Sequence, residues 1–245
     1  MSVIDIDADA QRAFSSMEAG GIAMLPQSVG YSLIAAHPAP LRRIFDTKRR
    51  TPSKLNAMLG NDAMAQELYV LSNRGRDVLE AITLFYDLPL GAIAPFRREH
   101  PIFRLLDDDM MARSTRDGTL LMLMNAGPFH AAITRLSHAA TVALFGSSAN
   151  ISMSGTRFSS DDIEPEIRAI ADVTIDYGLM KYHPYRASST LLNLETLEVV
   201  RHGSCYEDIR DIVRRYFHHD LGPRPEPERA ARNRLAGARA RMPMI

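Results

Sequence analysis

Apolar and polar positions along the chain switch repeatedly between a helical and a strand-like period, and the switches mark the elements. Residues 7–20 (DADAQRAFSSMEAG) suit a helix closed by Gly20 and Gly21. Gly21–Leu25 follows as a short buried strand that stops at Pro26. A polar, glycine-containing turn leads into an apolar segment opening with Tyr31. Pro38 and Pro40 interrupt the chain, and APLRRIFDTKRR sets Leu41, Ile44 and Phe45 on one helical face. LNAMLG and LYVLS read as strand or edge segments, DVLEAITLFYDL as an amphipathic helix, and Thr119–Asn125 as an apolar strand. HAAITRLSHAATVALFGSS passes from helical spacing into a strand. SSDDIEPEIRAIADV then restarts as a helix with serine and aspartate at its start. SSTLLNL and EVVRHG pair through the hairpin NLETLEV, and CYEDIRDIVRRYFHH is a strongly amphipathic last helix. Strands and helices interleave without the single-crossover rhythm of a doubly wound sheet. The pattern predicts an α/β protein of α+β type, one domain over residues 1–220, with an open twisted mixed sheet and flanking helices.

Composition narrows the class of protein. Of 245 residues, 46% are hydrophobic and 24% charged, enough to bury a sizeable core. Lysine plus arginine equals aspartate plus glutamate at 29 each, so affinity for phosphate or nucleic acid must come from local clusters. A single cysteine, Cys205, excludes an internal disulfide framework. The acidic start MSVIDIDADAQ is unlike a signal peptide, and no apolar run reaches the roughly 20 residues of a membrane span; a cytoplasmic protein is expected. From Leu221 the chain holds six arginines against two glutamates, with prolines at both ends, which predicts a basic, unfolded tail over 221–245. Such a tail is more often solvated than bound to RNA.

Three stretches carry candidate chemistry. In LRRIFDTKRRTPSK, Arg42 and Arg43 read as a solvated helix face. Lys48, Arg50 and Lys54 instead sit where the helix breaks at Thr51-Pro52, and cations on a turn can converge on a phosphate or carboxylate. In FGSSANISMSG, an apolar strand runs into a turn of hydroxyls, an amide and backbone N–H groups, a setting that binds oxyanions or merely caps a helix. In YRASSTLLNL and VVRHG, Ser189, Thr190 and Arg201 lie where strands meet turns. Neither a Walker loop nor a dinucleotide fingerprint is present. The histidines lack zinc-ligand spacing, the run Asp107–Asp109 reads as a helix cap or solvent face, and no metal site is predicted.

In order, these pieces resemble the YrdC-like domain of threonylcarbamoyl-AMP synthases, over roughly residues 10–215. The resemblance rests on GGIAMLPxxxxYxL, IFDTKRRTPSKL, LPLGAIAP, GSSANISMSG, DVTIDYG, SSTLLNL and VVRHG. It implies a twisted sheet with a positively charged concave face. It also implies condensation of L-threonine, bicarbonate and ATP into threonylcarbamoyl-adenylate with release of pyrophosphate, for modification of tRNA adenosine 37. By resemblance, Lys48 and Arg50 are the catalytic pair, and Lys54, Ser148, Asn150, Ser189 and Arg201 hold ATP, assisted by Mg²⁺. Ser28 and Tyr31 would contact the amino acid.

The amino-acid end departs from the family pattern. Gln27, Ser28 and Val29 stand where the family has Thr-Asp-Thr, and Gly30 precedes Tyr31 instead of a glycine following it. LMLMNAGPF supplies no arginine at Met124-Asn125-Ala126, where the family has Arg-x-Pro; Arg113, Arg116 or Arg186 are the spatial substitutes to look for. Loss of a guanidinium removes charge-assisted hydrogen bonds of roughly 1.5–3 kcal/mol each. Two functions stay open: a synthase of this type, or a diverged member that binds nucleotide, tRNA or double-stranded RNA without synthesis.

Overall fold

The computed structural model describes residues 4–51 and 54–225. The chain opens with helix α1 (Ile6–Glu18), capped by the Asp5 side chain accepting from the Ala8 amide. A hairpin follows, strands β1 (Ala23–Gln27) and β2 (Gly30–Ala35), paired from Ala23 opposite Ile34 to Gln27 opposite Gly30. Gly30 has a φ of +118°, and a Cβ there would lie 2.3 Å from the Thr156 side chain, so only glycine closes this turn against the 156–157 backbone. Pro38, expected to interrupt the chain, begins helix α2 (Pro38–Thr47), where its missing N–H is not needed.

Strands β3 (Ala57–Leu59), β4 (Leu90–Pro95), β5 (Thr115–Arg116), β6 (Thr119–Met124), β7 (Phe145–Ser148), β8 (Val173–Thr174), β9 (Leu191–Asn193) and β10 (Val199–Arg201) complete one sheet. Its order is β10-β9-β4-β6-β3-β7-β2-β1-β8, with β5 on β6. The β3–β6, β4–β9 and β1–β8 pairs are parallel and the others antiparallel, so the expected mixed sheet forms. The expected strand pair SSTLLNL–EVVRHG is β9 and β10. LNAMLG supplies a central strand rather than an edge, because β3 lies between β6 and β7. LYVLS forms only a bridge at Tyr69. SSDDIEPEIRAIADV yields a 3-10 turn, Ser160–Asp162, and a four-residue helix, α7 (Pro165–Arg168), because Pro165 has no N–H to continue a helix and can only open one.

Helices cover the sheet unequally. α1 packs with helix α6 (Pro128–Ala140) over β1, β2 and β7 through Ala10, Phe14, Met17, Ala132 and Ile133 against Leu25, Ile34 and Leu144. The opposite face holds the larger core, joining Leu41 and Ile44 of α2 to Leu33, Met58, Met122, Ala92 and Phe145. Helices α3 (Asp62–Leu68) and α4 (Asn73–Glu80) contribute Met64, Leu68 and Val78 to it. α4 runs on into a π-helical turn, Ala81–Phe85. Over β4, β6 and β9 the alternation leaves one face incompletely covered. Leu120, Met122, Ala92 and Leu192 are fully buried, whereas Leu121, Ile93 and Leu191 keep part of their surface. Short helix α5 (Asp108–Ala112) and the terminal helix α8 (Tyr206–Phe217) finish the described fold.

The proposed tail boundary at Leu221 falls inside packed structure. Tyr206 donates to the carbonyls of Leu221 and Gly222, and Arg224 pairs with Glu207 at 2.8 Å. The remainder of the expected tail, 226–245, lies outside the described residues.

Candidate functional site

Two chain crossings bring the cations together. α2 ends at Thr47, and the segment after it carries Lys48, Arg50 and Lys54 toward the start of β3. From the other end of the sheet, β10 ends at Arg201, which the register sets opposite Leu191 on the incompletely covered face. Arg201 donates through Nε and Nη2 to the Ser189 carbonyl at 3.1 and 2.8 Å, and Nη2 lies 3.4 Å from Ser189 Oγ. Its surface is exposed, yet the surrounding protein lowers its pKa to about 10. Arg50 is lowered to about 10 as well, first by burial and then by the charge of Arg201. It donates to the carbonyls of Lys54 (3.1 Å) and Leu55 and stacks on Phe45.

Gly203 makes this juncture possible. A Cβ there would come within 2.2–2.3 Å of the Ser188 and Ser189 backbone. Thr190 Oγ1 locks the same crossing, donating to the Ser204 carbonyl at 2.9 Å and accepting from the Gly203 amide at 3.1 Å.

Lys48 behaves differently from the role expected of it. It is 1% exposed, and Nζ donates to the carbonyls of Ser148 and Asn150, the latter at 2.6 Å. Burial, followed by the charge of Arg50, lowers its pKa to about 7; Glu164 opposes the shift and Lys54 adds to it. Lys48 therefore pins the Ser148-Ala149-Asn150 turn rather than presenting its ammonium to an open cleft. Asn150 is also occupied internally: Oδ1 accepts from Ser148 Oγ and Nδ2 donates to the Ile151 carbonyl. Lys54 is exposed beside Met153. Among the described residues, no carboxylate forms an ion pair with Lys48, Arg50, Lys54 or Arg201. By contrast, Arg42 pairs with Asp107 and Asp109, and Arg43 with Asp172. Arg42 and Arg43 are thus balanced by carboxylates, whereas the cations of the candidate site are not.

Tyr31, expected to touch the amino acid, is fully buried. Its hydroxyl lies 2.6 Å from Asp176 Oδ1 and 2.9 Å from the Gly178 carbonyl, and burial raises its pKa. It fastens β2 to the 176–178 turn, a supporting role. Ser28 lines a cavity of about 550 Å³ with Asn125, Gly127, Phe129, Tyr177 and Lys181. Its backbone joins both walls, the amide donating to Ala126 O at 2.7 Å and the carbonyl accepting from Tyr182 N at 2.9 Å. Sequence reasoning passed over Asp87, Lys181 and Tyr182 here; the available signal was a polar residue at each strand end.

Several buried polar atoms along these strand ends have no hydrogen-bond partner among the described residues: both amide atoms of Gln27 and the hydroxyls of Ser28, Ser32 and Ser147. Of these, Ser32 faces Ser148 in the β2–β7 register, next to the turn that Lys48 holds. Unpaired buried donors and acceptors are uncommon in folded proteins and concentrate where a ligand completes them. Of the arginines considered as substitutes, Arg113 pairs with Asp109 and stacks on Phe45 beside Arg50, while Arg186 is exposed. No group of three or more acidic, histidine or cysteine side chains able to hold a metal occurs among the described residues. The expected Mg²⁺ thus has no protein cage here, and no step is assigned to it. Asp107 caps α5, as its position suggested, and His218 ends α8.

The fold and site together define a mixed-sheet α/β protein in which Arg50, from the segment after α2, lies close enough to Arg201, at the end of β10, to feel its charge. The chain belongs to the Sua5/YciO/YrdC family, whose model, described as "Telomere recombination", matches residues 15–203. The hypothetical protein smu.1377c from Streptococcus mutans UA159 has a TM-score of 0.71 at 18% identity, over 85% of this chain and 92% of that one. P. abyssi Sua5 complexed with L-threonine has a TM-score of 0.68 at 18% identity, over 86% of this chain and 59% of that one. Full-length HypF in its phosphate- and nucleotide-bound form gives 0.58 at 16%, over 84% of this chain and 25% of that one. The chain thus spans about three fifths of that Sua5 and a quarter of that HypF. No curated protein matches the sequence. No helix among the described residues is long and apolar enough to cross a membrane.

Proposed function

We propose that the protein is a nucleotidyltransferase of the threonylcarbamoyl-AMP synthase type, using ATP, bicarbonate and an amino acid. The observation that carries this reading is the group of unbalanced cations, Arg50, Lys54 and Arg201 with Lys48 beneath them, beside the Ser189 crossing. The reaction brings together two anions, a carbamate and a nucleoside triphosphate. The amine nitrogen attacks bicarbonate carbon, expelling water; a carbamate oxygen then attacks the α-phosphorus and displaces pyrophosphate. Each step asks the protein chiefly to hold anions close and offset their repulsion. Arg50 and Arg201 are suited to this because their mutual repulsion is relieved when negative charge enters between them. Nucleotide and phosphate in HypF, and L-threonine in Sua5, support the same ligand classes for this chain. Transfer of the whole amino-acid-carbamoyl group from the adenylate to tRNA adenosine 37, releasing AMP, belongs to the same reading.

Pyrophosphate release, measured with ATP, bicarbonate and each amino acid in turn, tests the proposal. Activity with at least one amino acid, lost on omitting bicarbonate, is expected. No release with any amino acid at high enzyme concentration overturns synthesis. A second reading, nucleotide or RNA binding without synthesis, draws on the internal engagement of Lys48 and Asn150. It requires ATP, tRNA or double-stranded RNA to bind in a salt-dependent manner by the same silent protein.

A further inference from the structure

The cavity that Ser28 lines has chemistry that a small hydroxyl amino acid does not use. Its volume of about 550 Å³ lies within the range of small-molecule sites. Phe129, Tyr177 and Met180 form its apolar body, with Phe129 and Tyr177 meeting edge to face at 5.8 Å. Two opposite charges stand on its wall, Asp87 and Lys181. Lys181 Nζ lies 5.0 Å from the Tyr182 ring centroid, and Asp87 Oδ1 accepts from Asn125 Nδ2 at 2.8 Å. α6 begins on the wall at Pro128 with no side-chain cap, and its N-terminal end carries the positive end of the helix dipole.

The wall is built, not incidental. Asp87 and Asn125 both adopt left-handed backbone, at φ +53° and +49°, and are tied to each other by that hydrogen bond. Uncommon conformations held by specific contacts are a mark of functional positions. Ser28 lies four residues before Ser32, which faces Ser148 in the β2–β7 register, and Tyr182 lies seven residues before Ser189.

We propose that this cavity binds an α-amino acid with a bulky apolar side chain, such as leucine or phenylalanine, in preference to threonine. Asp87 receives the ammonium group, Lys181 and the start of α6 receive the carboxylate, and Phe129, Tyr177 and Met180 enclose the side chain. That this amino acid supplies the amine that attacks bicarbonate rests on the synthesis reading; binding in the cavity does not. A threonine side chain offers one methyl group to that apolar wall, whereas a leucyl or phenyl group adds burial that corresponds to roughly ten- to hundredfold tighter binding.

Calorimetric titration of the full chain with phenylalanine, leucine, alanine and threonine, with and without ATP, tests it. Phenylalanine or leucine should bind at least tenfold tighter than threonine, and N-acetyl-phenylalanine, which lacks the ammonium group, should bind at least tenfold weaker than phenylalanine. Asp87→Asn, which tolerates the same backbone and can still accept from Asn125, should weaken phenylalanine at least tenfold. Ala131→Phe, on the cavity wall, should abolish binding while Arg50 and Arg201 still take up tripolyphosphate. Threonine binding as tightly as phenylalanine, no amino acid binding at about 10 mM, or both variants binding as the parent does overturns the proposal. Phenylalanine binding without pyrophosphate release overturns synthesis and leaves the cavity assignment standing. Release with threonine alone overturns the cavity assignment and leaves synthesis standing.

Discussion

Anion binding in the cleft should be accompanied by proton uptake at Lys48. The side chain is 1% exposed, and its pKa falls to about 7, first through burial, then through Arg50, with Lys54 adding to the effect. At pH 7.5 a lysine of that pKa is about three quarters neutral. One net negative charge ~6 Å away, at an effective dielectric constant of ~20, contributes about 3 kcal/mol, or about 2 pKa units. The bound-state pKa then approaches ~9, and the complex takes up about 0.7 proton at pH 7.5. Uptake should shrink to about 0.2 proton at pH 6.5, where the lysine is already mostly charged, and persist at pH 8.5. Titration with tripolyphosphate or ATP in buffers of differing ionisation enthalpy measures this as a slope. Subtracting the same titration of Lys48→Met removes the ligand's own protonation. The reasoning is refuted if parent and variant show the same slope, or if the parent takes up no proton. The same shift makes stability depend on pH. The folded pKa lies below the unfolded value of 10.5, so the unfolded chain binds more protons between pH 7 and 10.5. The unliganded protein should gain stability as pH rises through that window, by up to about 5 kcal/mol from this group, and gain nothing from it below pH 7.

Other perturbations test separate parts of the structure. Gln27→Met replaces a fully buried amide with no partner among the described residues by an apolar group of similar size, and should stabilise the unliganded protein by about 1–3 kcal/mol in urea unfolding; a loss of stability would contradict the environment described. Gly203→Ala drives a methyl group into the Ser188–Ser189 backbone, and a destabilisation of about 3 kcal/mol or more is expected, read as a lower denaturation midpoint; an unchanged midpoint would contradict the close approach. Arg201→Gln should weaken tripolyphosphate binding at least tenfold and flatten its salt dependence, whereas Arg43→Gln, paired with Asp172, should change neither by more than about twofold.

The chain's own pattern carried the class of fold because burial leaves a local imprint. Alternation through Thr119–Met124 and helical spacing through Tyr206–Phe217 are visible without neighbours. Family membership was legible too, since the order of short motifs survives where overall identity has fallen. Local pattern failed where packing decides. LNAMLG became a central strand because β6 and β7 close around it. The cations show the same division. Lys48, Arg50 and Lys54 can be picked out from their place after a helix break, and Arg201 from its place at a strand end. Only the tertiary fold sets Arg50 within reach of Arg201 and turns Lys48 inward to two carbonyls. Tyr31 likewise proved a support, because its partner Asp176 comes from a segment 145 residues away. The pairing of Asp87 with Asn125, which shapes the cavity, joins the chain just before β4 to the chain just after β6. Residue type sets what a side chain can do; the direction it faces and the charges around it are fixed by contacts between distant segments, which no local pattern encodes.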